Sequence, residues 1–438
     1  FTCNICQQKD SVPNKNYFLP EKMQEITQLN NSSFDMITTS DYLLDPPMAP
    51  TYFFLIDVSQ EAQKSGMLNI ICDSLKEIII QDKLQGGVRK QIGIITYDSQ
   101  IHIYNLKSNL KQAQMYVLPD FKDGELFPLQ LENLVVTIED SKDIIVDLLD
   151  NLPNMLQNQY INNNTSCFIY ALDVFFYIEY IKDQFYFIFI KFLQGCFQNA
   201  QKQWRPSSKH FKILSKEMIK ICPLLFVFSQ EFKNLITLGE LPRILNGEIY
   251  FYHDQEQRQK QFKEDLLYNL QKSFNWENNL KIRISPGFKI KSINGSFALK
   301  SKDQFVFPCD LRKPLLLDLE IEENQSQQNN IEVFSIQTEL LYTNNEGQRL
   351  LRFHNYVIPL SSSLQQIYDS IDLEAYFFCL SKRIIENLYY YNINEIKTML
   401  ITEVKKLNYQ AKITEKVILS QNEQIFKKLK KKEQIINK

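Results

Sequence analysis

The sequence predicts a multidomain α+β protein, in which an α/β domain is followed by an antiparallel β-sandwich and then by helices. Three changes of hydrophobic pattern predict this order. Apolar runs alternate with helical spacings over about residues 50–280, strand-like alternation of period two fills 288–360, and helical spacing returns after it. Because a domain takes roughly 100–200 residues, a chain of 438 residues is long enough for several domains.

The first domain is predicted to be a doubly wound α/β sheet. Residues 52–56 form a continuous apolar run, which is typical of a parallel strand covered on both faces. Helical spacing follows over 68–79, and 91–97 predicts the next strand. We expect 101–104 to be an edge strand. The later elements are a helix over 144–152 and strands over 223–228 and 248–252.

The most apolar stretch runs from Phe168 to Phe192. Charged residues interrupt it, so no uncharged run reaches the ~18 residues that a membrane span needs. These charged residues are Asp173, Glu179, Lys182, Asp183 and Lys191. We therefore predict a buried helix and strand in a soluble protein.

The period-two region predicts antiparallel strands joined by tight turns. The Asn294-Gly295 pair predicts a hairpin between 288–291 and 297–300. Alternation over 334–342 predicts a strand with one buried face, and the turn at its end leads back into a strand near residue 350. This region is therefore predicted to form an antiparallel sandwich.

Composition and motifs argue against several functional classes. The 49 basic and 51 acidic residues give a formal net charge of -2, so composition provides no case for nucleic-acid binding. Glycine, with 11 residues, is too scarce to favour glycine-rich phosphate loops. The sequence has no nucleophile elbow, and its histidines stand in no catalytic pattern; they are His102, His210, His253 and His354. We predict no catalytic residue and no enzyme.

Two patterns are considered as metal ligands. In von Willebrand A domains, an Asp-x-Ser-x-Ser sequence at a strand end lets hydroxyl and carboxylate oxygens converge on Mg²⁺. Asp57 and Ser59 match this pattern, but Glu61 stands at its third position. The sequence favours the alternative, a strand end at which Ser59 caps the next helix.

Cys3 and Cys6 have the spacing of two thiolates on one tetrahedral Zn²⁺. A structural zinc site needs four ligands, and neither a second C-x-x-C pair nor a suitably spaced histidine follows. The pattern therefore predicts one half of a zinc site.

Several segments, taken in order, carry a resemblance to a known family. Besides the cysteine pair they are 12–13, 17–18, 41–59, 64–68, 92–108, 114–115, 127–129, 148–153, 348–354 and 358–364. Together they resemble the cargo-adaptor subunit of the COPII vesicle coat, the Sec-twenty-four family, over roughly residues 1–160 and 220–410. The resemblance implies a zinc finger, a von Willebrand A-like α/β trunk, a β-sandwich, a helical domain and a gelsolin-like domain.

The sequence departs from that family in three places. The first cysteine pair of the finger is missing, so the implied structural Zn²⁺ keeps only Cys3 and Cys6 as ligands. Residues 160–220 replace a helix and a core strand of the trunk, and a Lys-rich ending replaces the gelsolin-like domain. The predicted division is 1–40 for a half zinc-finger module and linker, 41–280 for the trunk, 281–361 for the sandwich, 362–415 for a partial helical domain and 416–438 for the tail.

The resemblance implies a non-enzymatic, cargo-binding adaptor of the COPII coat in transport from the endoplasmic reticulum to the Golgi. Its implied partners are the smaller, GTPase-activating inner-coat subunit, the coat's small GTPase, the export signals of membrane cargo and a membrane surface. The implied location is cytoplasmic and peripheral, on the endoplasmic reticulum membrane and on COPII vesicles.

Lys281 and Arg283 stand where the family has a basic pair that reads acidic cargo signals. Arginine can bind a carboxylate bidentately, and Lys281 lacks that geometry. A solvated strand face is the equally open alternative for this pair. For the whole chain the alternatives are the GTPase-activating subunit itself, a metal-dependent ligand-binding A-domain protein, and a truncated product without activity.

Overall fold

The computed structural model describes residues 30–42, 49–118, 134–156, 167–174, 186–192, 222–228, 235–301, 304–307, 313–322 and 333–405, apart from single positions or pairs within these ranges, and residues 3, 5 and 9. The predicted tail over 416–438 and Cys6 lie outside the described residues.

Sixteen strands are formed in this part of the chain. They are β1 (Ser33–Ile37), β2 (Thr51–Asp57), β3 (Gln91–Tyr97), β4 (Ile101–Asn105), β5 (Gln114–Leu118), β6 (Val136–Thr137), β7 (Tyr186–Phe192), β8 (Cys222–Phe228), β9 (Glu248–Tyr252), β10 (Trp276–Ile284), β11 (Phe288–Asn294), β12 (Ala298–Ser301), β13 (Gln304–Phe307), β14 (Leu316–Ile321), β15 (Val333–Thr343) and β16 (Arg349–Pro359). The helices are α1 (Gln60–Lys64), α2 (Met67–Ile80), α3 (Ile138–Leu156), α4 (Leu235–Ile244), α5 (Gln255–Leu270), α6 (Leu364–Asp369) and α7 (Leu373–Asn387). Residues 393–405 are also helical.

The trunk is built on a sheet with the strand order β5-β4-β3-β2-β7-β8-β9, beside which β6 pairs with β3. Every residue of β2 is buried. Tyr52 and Phe54 belong to one core, which α2, α3 and α5 cover, whereas Phe53 and Leu55 belong to a second core on the opposite face, with Phe168 and residues of α4. This arrangement confirms a parallel strand that is covered on both faces.

The predicted edge strand at 101–104 is an interior strand. β4 pairs with β3 on one side and with β5 on the other. All of its residues are buried, so the prediction of an edge was wrong. The edge strand on this side of the sheet is β5, whose residues Gln114–Leu118 show no strict alternation of polar and apolar side chains.

The aromatic-rich segment supplies the strand that we expected near its end. β7 lies between β2 and β8 and runs parallel to both, with Tyr52 opposite Tyr186. The preceding residues around 168–174 are helical, so a helix followed by a strand is confirmed. The departure from the family sequence therefore leaves a central strand of the sheet in place.

The sandwich consists of a six-stranded sheet, in the order β1-β16-β15-β10-β13-β12, and a two-stranded sheet of β11 and β14. Ile282 and Phe305 form the centre of its core. Around them pack residues from both sheets, namely Leu280, Ile284, Ile290, Ile293, Leu315, Leu317 and Ile336.

Two strand pairings differ from the sequence expectation. The predicted hairpin across Asn294-Gly295 does not form, because β11 pairs with β14 and β12 pairs with β13. The turn signal is real, but here it marks a passage from one sheet to the other. Moreover, residues 33–37, which we assigned to the linker, form β1 at the edge of the six-stranded sheet.

The boundary between trunk and sandwich lies earlier in the chain than the sequence predicts. The predicted position at 281 falls inside β10, which begins at Trp276. After the sandwich the chain continues into α6 and α7, as the helical spacing predicts. Asp372 caps α7 by accepting a hydrogen bond from the backbone N–H of Ala375. No helix in the described part of the chain is long and apolar enough to cross a bilayer.

Candidate functional site on the outer face of the sandwich

Lys281 and Arg283 lie on one face of β10, because successive side chains of a strand point to opposite sides. Ile282, between them, is 4 % exposed and packs in the sandwich core. The basic pair therefore points away from that core, on the outer face of the six-stranded sheet.

Arg283 is already engaged by its neighbours on β15. Its Nη2 lies 2.7 Å from Glu339 Oε2, and its Nη1 donates to Gln337 Oε1 at 3.2 Å. The register explains both contacts, since Gln337 stands opposite Arg283 and Glu339 stands opposite Lys281. A carboxylate from another molecule would have to compete with Glu339 for this guanidinium.

Lys281 is the less engaged member of the pair. Its side chain is half-buried, and it has no hydrogen-bond or ion-pair partner among the residues that the structure describes. An ammonium in this position can donate to a carboxylate as a point charge, without the two-pronged geometry of arginine.

An apolar patch adjoins the basic pair on the same face. Across the sheet Glu339 stands opposite Phe353, which stands opposite Phe34, and the Phe rings are 5.4 Å apart. In the neighbouring row Leu341, Leu351 and Met36 are opposite one another. We call these five residues, Phe34, Met36, Leu341, Leu351 and Phe353, the apolar patch. The face thus joins partly exposed apolar side chains to two cations and one carboxylate.

β1, which carries Phe34 and Met36, is also held by side-chain hydrogen bonds on its opposite face. Asp35 receives two hydrogen bonds from Arg352, from Nε to Oδ1 and from Nη2 to Oδ2, each 2.7 Å long. This hydrogen bonding lowers the pKa of Asp35. His354 Nδ1 lies 2.6 Å from the Ser33 hydroxyl and forms a hydrogen bond with it. Sequence reasoning missed β1, whose only signal is the alternation of Phe34 and Met36 with polar residues.

The second predicted constellation lies at the end of β2. Asp57 is buried, and its Oδ1 accepts the backbone N–H of Ser59 at 2.9 Å. The Ser59 carbonyl then accepts the N–H of Gln63, 3.1 Å away. Burial, with Asp57 close by, raises the pKa of Tyr97 well above its usual value. The side chain of Glu61, at the third position of the pattern, lies outside the described part of the structure. Among the described residues, no group of three or more His, Cys, Asp or Glu side chains is placed so that it could hold a metal ion.

The predicted zinc half-site cannot be assembled from the described residues. Cys3 is half-buried, and Cys6 lies outside the described part of the chain. Zinc binding by this pair therefore stays a prediction.

Two family models match the chain. The Sec23/Sec24 trunk domain matches residues 47–178, and the Sec23/Sec24 beta-sandwich domain matches residues 275–361. The sandwich match begins one residue before β10.

Curated relatives match over most of this chain. Protein transport protein SEC24 A of Arabidopsis thaliana is 30 % identical over 84 % of this chain and 37 % of its own length. Human protein transport protein Sec24B is 29 % identical over 92 % of this chain and 33 % of its own length. The chain thus spans about a third of the length of these relatives.

A solved structure shares the fold. The crystal structure of the human COPII-coat protein Sec24c superposes with a TM-score of 0.81 at 22 % identity, covering 92 % of this chain and 57 % of that one. The likeness includes both the trunk and the sandwich.

Proposed function

This chain belongs to the Sec24 side of the Sec23/Sec24 family, and from that membership we propose that it is a non-catalytic, cargo-binding adaptor of a COPII vesicle coat. The observation that carries the proposal is the match of trunk and sandwich domains, in this order, to relatives named as protein transport proteins. The name of the Sec24c structure supports the COPII coat as the setting.

The outer face of the sandwich is the proposed cargo site. Lys281 offers an ammonium without a described partner, and Arg283 offers a guanidinium that shares its charge with Glu339. A peptide with two carboxylates would form charge-assisted hydrogen bonds here. The apolar patch lies in adjoining rows of the same face, so an apolar residue beside the acidic ones would also find a surface.

Peptide binding tests this site. A peptide with an Asp-x-Glu signal should bind the wild-type chain more tightly than its Asn-x-Gln counterpart, by fluorescence anisotropy. The Lys281→Ala/Arg283→Ala variant should lose about tenfold or more in affinity, since hydrogen bonds to charged groups contribute about 1.5–3 kcal/mol each. The matched control is Lys289→Ala/Lys291→Ala, which removes two lysines at the same spacing from β11. Equal affinity of wild type and the Lys281/Arg283 variant for the acidic peptide would remove the assignment.

The proposed partners are the smaller inner-coat subunit, the coat's small GTPase and the endoplasmic reticulum membrane, which the chain would contact peripherally from the cytoplasm. Co-sedimentation with liposomes in the presence of the purified small GTPase and the smaller subunit tests this assembly. A GTP-hydrolysis assay separates the two coat roles. An adaptor leaves the intrinsic hydrolysis rate unchanged, whereas a rate increase by this chain alone would assign it the GTPase-activating role instead.

Cys3 and Cys6 are proposed as two ligands of a structural zinc ion. Zinc content of the purified chain, measured by mass spectrometry of the metal, should fall in the Cys3→Ser/Cys6→Ser variant. Equal zinc in both proteins would exclude the pair as ligands. Cys72→Ser is the control, because burial raises the pKa of that thiol to about 12 and so disfavours the thiolate that binds metal.

A further inference from the structure

Helix α7 contacts both the sandwich and the trunk, each through an arginine–carboxylate pair. On the sandwich side Arg383 Nη2 lies 2.5 Å from Asp318 Oδ1 on β14. On the trunk side Glu386 Oε1 accepts a hydrogen bond from Arg243 Nη1 on α4, 3.3 Å away. Arg383 and Glu386 are three positions apart, so they project from neighbouring places on one side of the helix.

Both pairs are open to water. The exposed fractions of the side chains are 48 % for Arg383, 24 % for Asp318, 33 % for Arg243 and 41 % for Glu386. Ion pairs with this exposure are weak, and dissolved salt screens them. Arg243 is in addition held by Glu240, a buried carboxylate on its own helix. Arg243 is therefore fixed in the trunk whether or not Glu386 is present.

Apolar burial adds little to the attachment of α7. Within the described residues, Leu380 is the one buried side chain of this helix. Leu373, Phe377 and Ile385 are 49–60 % exposed. The trunk helix α2, by contrast, buries eight of its residues. Helices with few buried apolar contacts open at a lower free energy than the core of the same protein.

We propose that α7 is a salt-sensitive strap, which is docked on trunk and sandwich by its two ion pairs and lifts away from them while both domains stay folded. Once the Arg383–Asp318 and Arg243–Glu386 pairs are lost, Leu380 is the one buried side chain of α7, among the described residues, that still holds the helix in place. Ionic strength, or a charged surface that pairs with Arg383 or Glu386, shifts the strap towards its released position.

Hydrogen exchange of the full chain, followed by mass spectrometry, tests the strap. Between about 50 mM and about 500 mM NaCl, exchange of the α7 amides should accelerate on the order of tenfold, while amides of α2 and β2 keep their rates. The Arg383→Ala/Glu386→Ala variant should show the fast exchange of α7 already at low salt. The charge-swapped variant Arg383→Asp/Asp318→Arg, which keeps an ion pair at this position, should keep hydrogen exchange of the α7 amides slow at low salt.

The matched control is Glu374→Ala/Lys382→Ala, which removes one anion and one cation from the same helix, neither of them in an ion pair with a described residue. The proposal is wrong if salt leaves α7 exchange unchanged relative to α2. It is equally wrong if the control variant accelerates α7 as much as Arg383→Ala/Glu386→Ala does. Should the latter variant unfold the whole chain, the salt series on wild-type protein decides.

Discussion

Arg349 and Glu277 form a buried ion pair where the trunk meets the sandwich. Arg349 Nη1 lies 3.4 Å from Glu277 Oε2 and donates to the Glu277 carbonyl at 3.1 Å, and the two side chains are 9 % and 13 % exposed. Glu277 has a φ of 52°, a left-handed conformation that side chains rarely adopt. The carbonyl of Arg349 accepts two further bonds, from the N–H and hydroxyl of Thr38. One arginine thus connects the starts of β10 and β16 to the end of β1.

Arg349→Ala is expected to destabilise the sandwich by about 3–5 kcal/mol, because it leaves the largely buried Glu277 carboxylate without its counter-charge. A Glu277→Gln/Arg349→Met variant, which removes both charges, should lose clearly less of the free energy of unfolding than Arg349→Ala does. Thermal unfolding followed by circular dichroism measures both. A midpoint for Arg349→Ala equal to that of wild type would show that the pair contributes nothing to stability.

Glu339→Gln is expected to tighten the binding of an acidic peptide by about two- to five-fold. The substitution frees Arg283 from a partly exposed ion pair, which is worth up to about 1 kcal/mol. Isothermal titration with the Asp-x-Glu peptide measures the change. Glu346→Gln, which removes an exposed carboxylate from the turn between β15 and β16, serves as the control. Weaker binding by Glu339→Gln would mean that Glu339 holds Arg283 in place for the ligand.

Gly347→Ala is expected to destabilise the hairpin by about 2 kcal/mol. Gly347 has a φ of 86°, and an added Cβ would lie 2.7 Å from the guanidinium of Arg89. Arg89 would have to move away and lose its hydrogen bond to the Asn345 carbonyl. Gly66→Ala separates the two causes, since Gly66 has a φ of 72° but open space around it. Thermal unfolding midpoints that are equal for Gly347→Ala and Gly66→Ala would show that the contact with Arg89 adds nothing to the destabilisation.

His102 is expected to make stability fall in mild acid. The residue is fully buried, and burial lowers its pKa, although Asp98 acts in the opposite direction. The Thr96 hydroxyl lies within hydrogen-bond distance of both the His102 ring and the Tyr104 hydroxyl. On β5, Val117 is the residue opposite His102. Below the ordinary pKa of about 6.5 the unfolded chain binds a proton that the folded chain does not, so this contribution is present above that pH and is lost as the pH falls through it.

The measurement is the thermal midpoint at about pH 7.5 and about pH 5.5, on either side of the ordinary histidine pKa. His102→Gln should show a smaller decrease between these two values than wild type. The control is His253→Gln, at an exposed position. A decrease in His102→Gln as large as in wild type would assign the acid sensitivity to other groups.

Elements with a local signal could be predicted from the sequence, and elements defined by distant pairing could not. The apolar run of β2 and the alternation of β15 are properties of consecutive residues, and both strands form where we expected them. β1 depends instead on Ser33 meeting His354, 321 positions along the chain. Likewise the contact of Arg283 with Glu339 depends on the register of β10 against β15, which no local pattern specifies.

For the site, the sequence could locate the basic pair but not its surroundings. That Lys281 and Arg283 share a face follows from their spacing. The carboxylate that forms an ion pair with Arg283 lies on a strand that follows the trunk in the sequence. The apolar patch combines one strand that precedes the trunk with two strands that follow it. Whether the pair binds cargo, and whether Cys3 and Cys6 bind zinc, stay predictions.

The position of β1 has a consequence for how this protein can be divided. Its sandwich is discontinuous, since one edge strand is made before the trunk and the other strands after it, and the trunk is an insertion between them. A fragment expressed from residue 275 onwards would leave the outer edge of β16 unpaired, a feature that promotes aggregation. During synthesis, too, β1 must wait until more than 300 further residues have emerged before it finds its partner.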